Sequence, residues 1–171
     1  MTPAPMARLV PLALAALTAA GCSLLGPDGG SEVAFRLFDR SAAEGAPAFA
    51  VTFGDGRRSR TLGPGDFAAV NGVQSEAGPF ETATSGTLRA ACSVLGGGGE
   101  PTATAEVSLP LRPDWRYSVD CAVGPSDPSR LCFGCLGSEA APVPAGTPGA
   151  APGDSLFLVW GGTSISSPVL Y

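Results

Sequence analysis

The chain has 171 residues and a formal charge of −5, with 10 basic side chains against 15 acidic ones and no histidine. Every basic residue is arginine, so Schiff-base and Ser-Lys chemistry are excluded along with Ser-His-Asp or Cys-His catalysis and any His-ligated zinc or iron centre. An acidic chain with scattered arginines and no basic cluster also lacks the means to neutralise a nucleic-acid backbone.

In chain order, the first element is Met1–Cys22. Arg8 precedes an apolar run, Leu9–Ala20, broken by Pro11 and Thr18, and the run closes on Ala19-Ala20-Gly21-Cys22. A charged start, a short apolar middle and small residues before a cleavage point form an export signal. The run is too short for a membrane span, which needs about 20 apolar residues. With its cysteine directly after the small residues, the segment resembles the signal of bacterial lipoproteins, although Ala19 stands where that pattern usually has Leu. The resemblance implies cleavage before Cys22, a diacylglyceryl group on its sulfur, and a lipid bilayer as partner through that anchor. Ser23, the residue that follows, is similar to an outer-membrane address where two membranes exist. An ordinary secreted protein with Cys22 as an odd thiol is the alternative.

Removing Met1–Gly21 takes 21 residues from 171 and leaves 150, enough for a single domain. Residues 22–31 read as a flexible tether holding the domain some 15–20 Å from the anchor. Beyond it the periodicity is that of strands. Val33, Phe35 and Leu37 alternate with Ala34 and Arg36, and Phe49, Val51 and Phe53 with Ala50 and Thr52. Gly54-Asp55-Gly56 supplies a turn toward Arg58–Leu62. Leu88, Ala90, Cys92 and Val94 share a face, as do Ala103, Ala105, Val107 and Leu109. Trp115–Val123 alternates strictly, with Trp115, Tyr117, Val119, Cys121 and Val123 on one side. Leu156–Trp160 is apolar on both faces, which predicts a central or doubly covered strand. Pro64–Val70 is the only helical turn predicted. The Pro/Ala/Gly-rich segment 137–153 is predicted to be a disordered surface loop within one domain, residues 32–171. The C-terminal segment is expected to dock as a final strand. These short strands predict an all-β fold, an antiparallel β-sandwich of Ig-like or small Greek-key type stapled by disulfides.

Four cysteines remain after lipidation, an even number that in an exported chain predicts two bridges. Cys92 and Cys121 lie on the apolar faces of their strands, so Cys92–Cys121 with Cys132–Cys135 is the preferred pairing. A hairpin at Gly124–Arg130 that would bring Cys121 opposite Cys132 is the competing one. Cys132-x-x-Cys135 resembles the motif of thioredoxin-like oxidoreductases, but no helix or βαβ pattern surrounds it, and a lone C-x-x-C is a poor zinc knuckle.

Gly153-Asp154-Ser155-Leu156 spells the signature of GDSL-type hydrolases, yet Ser155 has no histidine to take its proton; a turn leading into Leu156–Trp160 is the reading preferred here. Gly96–Gly99 precedes no helix, so it is not a phosphate loop. Asp114 and Asp120 stand at opposite ends of one strand and read as solvated charge; Asp127-Pro128 and Asp55-Gly56 read as turns. Trp115, Tyr117 and Trp160 are assigned to the core. The sequence thus points to a membrane-anchored envelope protein with no catalytic residues, no metal and no cofactor, acting as a binding or structural module with an unspecified protein or glycan partner. An envelope enzyme using Cys132 and Cys135 is the alternative.

Overall fold

A computed structural model describes residues 30–126 and 135–165. The signal, Cys22 and most of the tether lie outside these residues, as do Cys132 and the chain beyond Ile165. Ten strands follow in order: β1 (Ser31–Asp39), β2 (Ala48–Gly54), β3 (Ser59–Leu62), β4 (Ala68–Asn71), β5 (Gln74–Thr82), β6 (Thr87–Leu95), β7 (Pro101–Pro110), β8 (Trp115–Gly124), β9 (Cys135–Pro142) and β10 (Ser155–Ser164). They form a six-stranded sheet, β4-β5-β1-β8-β10-β9, packed on a four-stranded one, β3-β2-β6-β7. This is the all-β sandwich that the alternation predicts. One pairing departs from the antiparallel expectation: β1 runs parallel to β8, Glu32 opposite Arg116 and Asp39 opposite Val123.

The core follows from period two. Val33, Phe35, Val51, Leu62, Leu88, Cys92, Val94, Val119, Cys121, Val123, Leu156 and Leu158 are all buried between the sheets. Each large apolar side chain taken out of water contributes roughly 1.5–3 kcal/mol. β10 lies inside its sheet, between β8 and β9, and Phe157 and Val159 on its other face are buried too, so the doubly apolar stretch is a doubly covered strand. Tyr117 is buried in the core, while Trp115 and Trp160 are only partly buried against it. The Tyr117 hydroxyl donates to the Pro110 carbonyl and accepts the Arg112 N–H, both at 2.9 Å, clamping the β7–β8 corner.

Two expectations need correction, and one strand has no sequence signal. Pro64–Val70 is helical only in a 3-10 turn, Pro64–Asp66, because Ala68–Asn71 is drawn into the sheet edge by β5. β5 itself has no clean alternation, which hid it from the pattern. The segment 137–153 is not a disordered loop. Its first part belongs to β9, hydrogen-bonded along β10, and its remainder is pinned by Asp154. The Asp154 carboxylate accepts from the Ser41 hydroxyl at 2.7 Å and the Ala151 N–H at 2.8 Å. Gly149, at φ +74°, seats against the Ala46–Pro47 backbone, where a Cβ would lie 2.3 Å from the Pro47 nitrogen. Composition favours disorder only when nothing buried holds the chain, and here a satisfied buried carboxylate does.

The two sheets share their ends. At the leading end, where β1 begins, Ser31 lies opposite Thr82 and its hydroxyl donates to the Arg112 carbonyl, while Leu111 N–H bonds to the Gly86 carbonyl. At the opposite end lie Asp39, Glu44, Val73 and Asp154.

Gly137 faces Trp160 across β9–β10, and a Cβ there would stand 2.5 Å from the indole. Gly137→Ala should therefore cost about 1–3 kcal/mol in denaturant unfolding, the range for overpacking; Ser138→Ala, at an exposed neighbouring position, should be within about 0.5 kcal/mol of wild type.

Candidate functional site

Three features on the leading half of the sandwich build a cleft. The first is the β2–β3 turn. Gly56 adopts φ +83°, and Asp55 folds back so that Oδ1 accepts the Arg57 and Arg58 N–H groups at 2.9 Å each. Its Oδ2 accepts the Ala83 N–H at 2.8 Å, tying the hairpin to the chain that leaves β5. Partial burial pulls the Asp55 carboxyl up, but the N–H groups of Arg58, Arg57 and Ala83 outweigh it and leave the carboxyl below its ordinary value.

The second feature is an aromatic floor. The Phe35 and Phe53 ring centroids lie 4.7 Å apart and those of Phe53 and Phe80 5.2 Å apart. Phe80 reaches them because the β1–β5 ladder shifts register between Val33 and Phe35, with Gly78 (φ +106°) on the opposing strand. A Cβ at Gly78 would lie 3.0 Å from the Val33 carbonyl, so a larger residue would push β5 away.

The third feature is the charged rim. The Arg60 guanidinium sits over the Phe80 ring at 4.5 Å, an arrangement in which the ring face attracts the cation. Ser59 on the same strand and Arg58 in the turn before it extend the rim, and Glu81 and Thr82 close it from β5. The cleft between them encloses about 430 Å³ and has Phe53, Phe80 and Leu88 as its apolar lining. This geometry suits a group that carries negative charge beside apolar surface. It has cations to bind and orient that charge, but Ser59 is its only hydroxyl nucleophile besides Thr82, and neither has a base aimed at it among the described residues.

Most residues singled out from the sequence lie elsewhere. Asp154 is buried in the loop anchor described above, and Ser155 opens β10 opposite Gly124. Asp120 is paired with Arg36 by two 2.7 Å contacts. Burial pushes its carboxyl up, the hydrogen bonds and charge of Arg36 pull it back, and it settles above its ordinary value. Asp114 occupies a turn at φ 57°. Only Asp55 belongs to the cleft. The cleft's signal in the sequence is the trio Arg57, Arg58 and Arg60 beside a Gly-Asp-Gly turn, which no known motif marks.

The cysteines require a correction. Cys92 and Cys121 do meet across the sheet interface, as their inward faces predict, yet both are free thiols and not a bridge. Burial lifts the Cys121 thiol well above its ordinary range; the hydrogen bond and charge of the adjacent Cys92 add to this, as does Asp120. The two sulfurs approach closely enough to share a hydrogen bond but are not joined. In the described sheet β8 is flanked on both sides, by β1 and β10, with Cys121 opposite Leu37 and Leu158. Cys135 opens β9 and is disulfide-bonded. Cys132, the other half of the pairing expected from the sequence, lies outside the described residues.

A thiol pair and a bridge differ in what their loss costs. Cys92→Ala should destabilise the domain by about 1–2 kcal/mol, the loss of a small buried group, with the same difference in the presence and absence of reductant. A loss of about 3–4 kcal/mol that disappears in reductant would instead mark a closed 92–121 loop.

Compared with known proteins, the chain matches no family model, no curated protein and no solved structure, so its function is argued from these residues.

Proposed function

We propose that the chain is a lipid-anchored envelope lipoprotein whose sandwich is a non-catalytic binding module, with the arginine-rimmed cleft as its binding face. The observation that carries the binding reading is the cleft itself: a space of about 430 Å³ with the Arg60 guanidinium over the Phe80 ring of its floor and Arg58 beside it on the rim, so that cationic and apolar surface face a ligand together. The anchor reading rests on the signal and the small residues before Cys22. Two or more acyl chains on that sulfur would hold the protein to a bilayer stably, since each buried methylene contributes about 0.8 kcal/mol. The thiol-enzyme alternative rests on Cys132 and Cys135; against it, Cys135 is disulfide-bonded and opens strand β9, not the helix whose N-terminus lowers a thiol's pKa in such enzymes.

Two experiments test this. Cys22→Ser removes the sulfur that would carry the lipid, so the protein should be released or remain unprocessed when membrane and soluble fractions are compared. A Cys22→Ser protein that is still cleaved and still partitions with membranes after a wash in 0.5 M salt, which strips purely electrostatic contacts, would end the anchor reading.

Ester hydrolysis by the purified chain should stay at buffer background, because general-base help, worth about 10²–10⁴-fold, is not available to Ser155. Turnover that disappears in Ser155→Ala would revive a hydrolase.

A further inference from the structure

The charges of the sandwich are segregated by end. Among the described residues, Arg57, Arg58, Arg60, Arg89, Arg112 and Arg116 cluster toward the leading end, and all six are exposed. Their common location follows from the registers: Arg89 opposes Gly54, Arg116 opposes Glu32 at the start of β1, and Asp55 bonds to Ala83 just beyond β5. The carboxylates at this end are Glu32, Asp55, Glu81 and Asp114. Glu32 is consumed by Arg116 and Asp55 by three backbone N–H groups. The opposite end has Arg40 against Asp39, Glu44, Asp66, Glu100 and Asp154. An acidic protein therefore presents a basic end.

That end is also where the chain enters the fold. β1 starts at Ser31, nine residues after Cys22, and a tether of that length reaches on the order of 15–20 Å. The end nearest the anchor is the one whose charge an anionic bilayer attracts. It carries an amphipathic ring as well: Trp115 is partly exposed there, with the Arg112 guanidinium over it at 4.9 Å, and tryptophan beside arginine is suited to the headgroup level of a membrane.

We propose that this leading face docks on the anionic lipid surface of the membrane that anchors the chain, with Arg57, Arg58 and Arg60 contacting lipid phosphates at the mouth of the cleft. This rests on the lipid-anchor reading for its geometry, and it assigns the charge that the cleft binds to lipid headgroups. The tether keeps the face at high local concentration, so weak individual contacts suffice to set the orientation of the sandwich. The acidic end then points away from the bilayer.

The test separates surface docking from anchoring by using the full chain with Cys22→Ser. Vesicles of phosphatidylcholine alone, and of phosphatidylcholine with about one third phosphatidylglycerol, are sedimented with the protein at low and at high salt. The expected result is stronger binding to the anionic vesicles that is lost near 0.5 M salt, where the screening length falls to a few ångströms. Arg57→Ala with Arg58→Ala should weaken it about 30-fold, and Arg60→Ala by about fivefold more, at the usual increment for a basic residue near an anionic surface. Arg40→Ala, at the opposite end, should leave it unchanged. The Arg57 and Arg58 side chains are exposed and only their backbone groups serve the turn, so this pair is expected to fold as wild type, which thermal melting checks. Equal sedimentation on both vesicle types, or equal binding by wild type and the Arg57/Arg58 variant, would overturn the docking face. Because Cys22 is removed throughout, that failure would leave the anchor reading untouched, and failure of the anchor would read out only in the partition experiment.

Discussion

The parallel ladder between β1 and β8 is the pairing on which the rest of the molecule depends. It seats the first strand in the interior of the larger sheet, with β5 on its other side, so the chain's entry point becomes the start of a central strand. Both side-chain ion pairs among the described residues lie on this ladder. Arg36 meets Asp120 and Glu32 meets Arg116, four residues apart on the same outward face. A slip of one residue would turn those charges into the core and bring Val33, Phe35 and Leu37 to the outside. The inward phenylalanine of that same strand, Phe35, supports the ring of Phe53, and through it the cleft floor.

The cleft is thus a consequence of how a sandwich ends. Two sheets that pack closely along their length must part where their strands stop, and the gap is either filled by loops or left as a site. Here Asp55 fixes the β2–β3 turn against the chain after β5, and Gly78 lets β5 approach closely enough for Phe80 to floor the gap. Arginine is the fitting cation for this rim, because its planar guanidinium lies flat on an aromatic ring while still presenting N–H donors to an anion. The thiols of Cys92 and Cys121, by contrast, are interior packing, held where no solvent reaches them.

Much of the fold was legible in the sequence because half-buried strands write themselves in period two. Trp115–Val123 and Leu88–Val94 alternate without interruption and are strands β8 and β6. The strands that show no such alternation, β4, β5 and β9, have Gly, Pro and Ala in place of regular apolar positions, such as Ala68-Ala69 in the first, Gly78-Pro79 in the second and Gly137 in the third. Their strand state comes from a neighbouring ladder, since the backbone hydrogen bonds offered by β5, β1 and β10 outweigh a poor local propensity. Asp154 shows the same in a loop. Local composition argues for disorder, and a single buried carboxylate with partners 113 residues away in sequence and three residues away holds the segment in place.

By itself the sequence determined the fold class, the exclusion of histidine and lysine chemistry, and the inward direction of Cys92 and Cys121, because each of these depends on residue type or on local periodicity alone. Only the tertiary structure decided which strands neighbour one another, that the two core cysteines touch as thiols, and that six arginines scattered from position 57 to position 116 gather at the end where β1 begins. Those facts depend on pairing between strands far apart in the chain. Such pairing is set by the summed packing of two sheets, to which no single stretch of sequence contributes enough to be read in isolation.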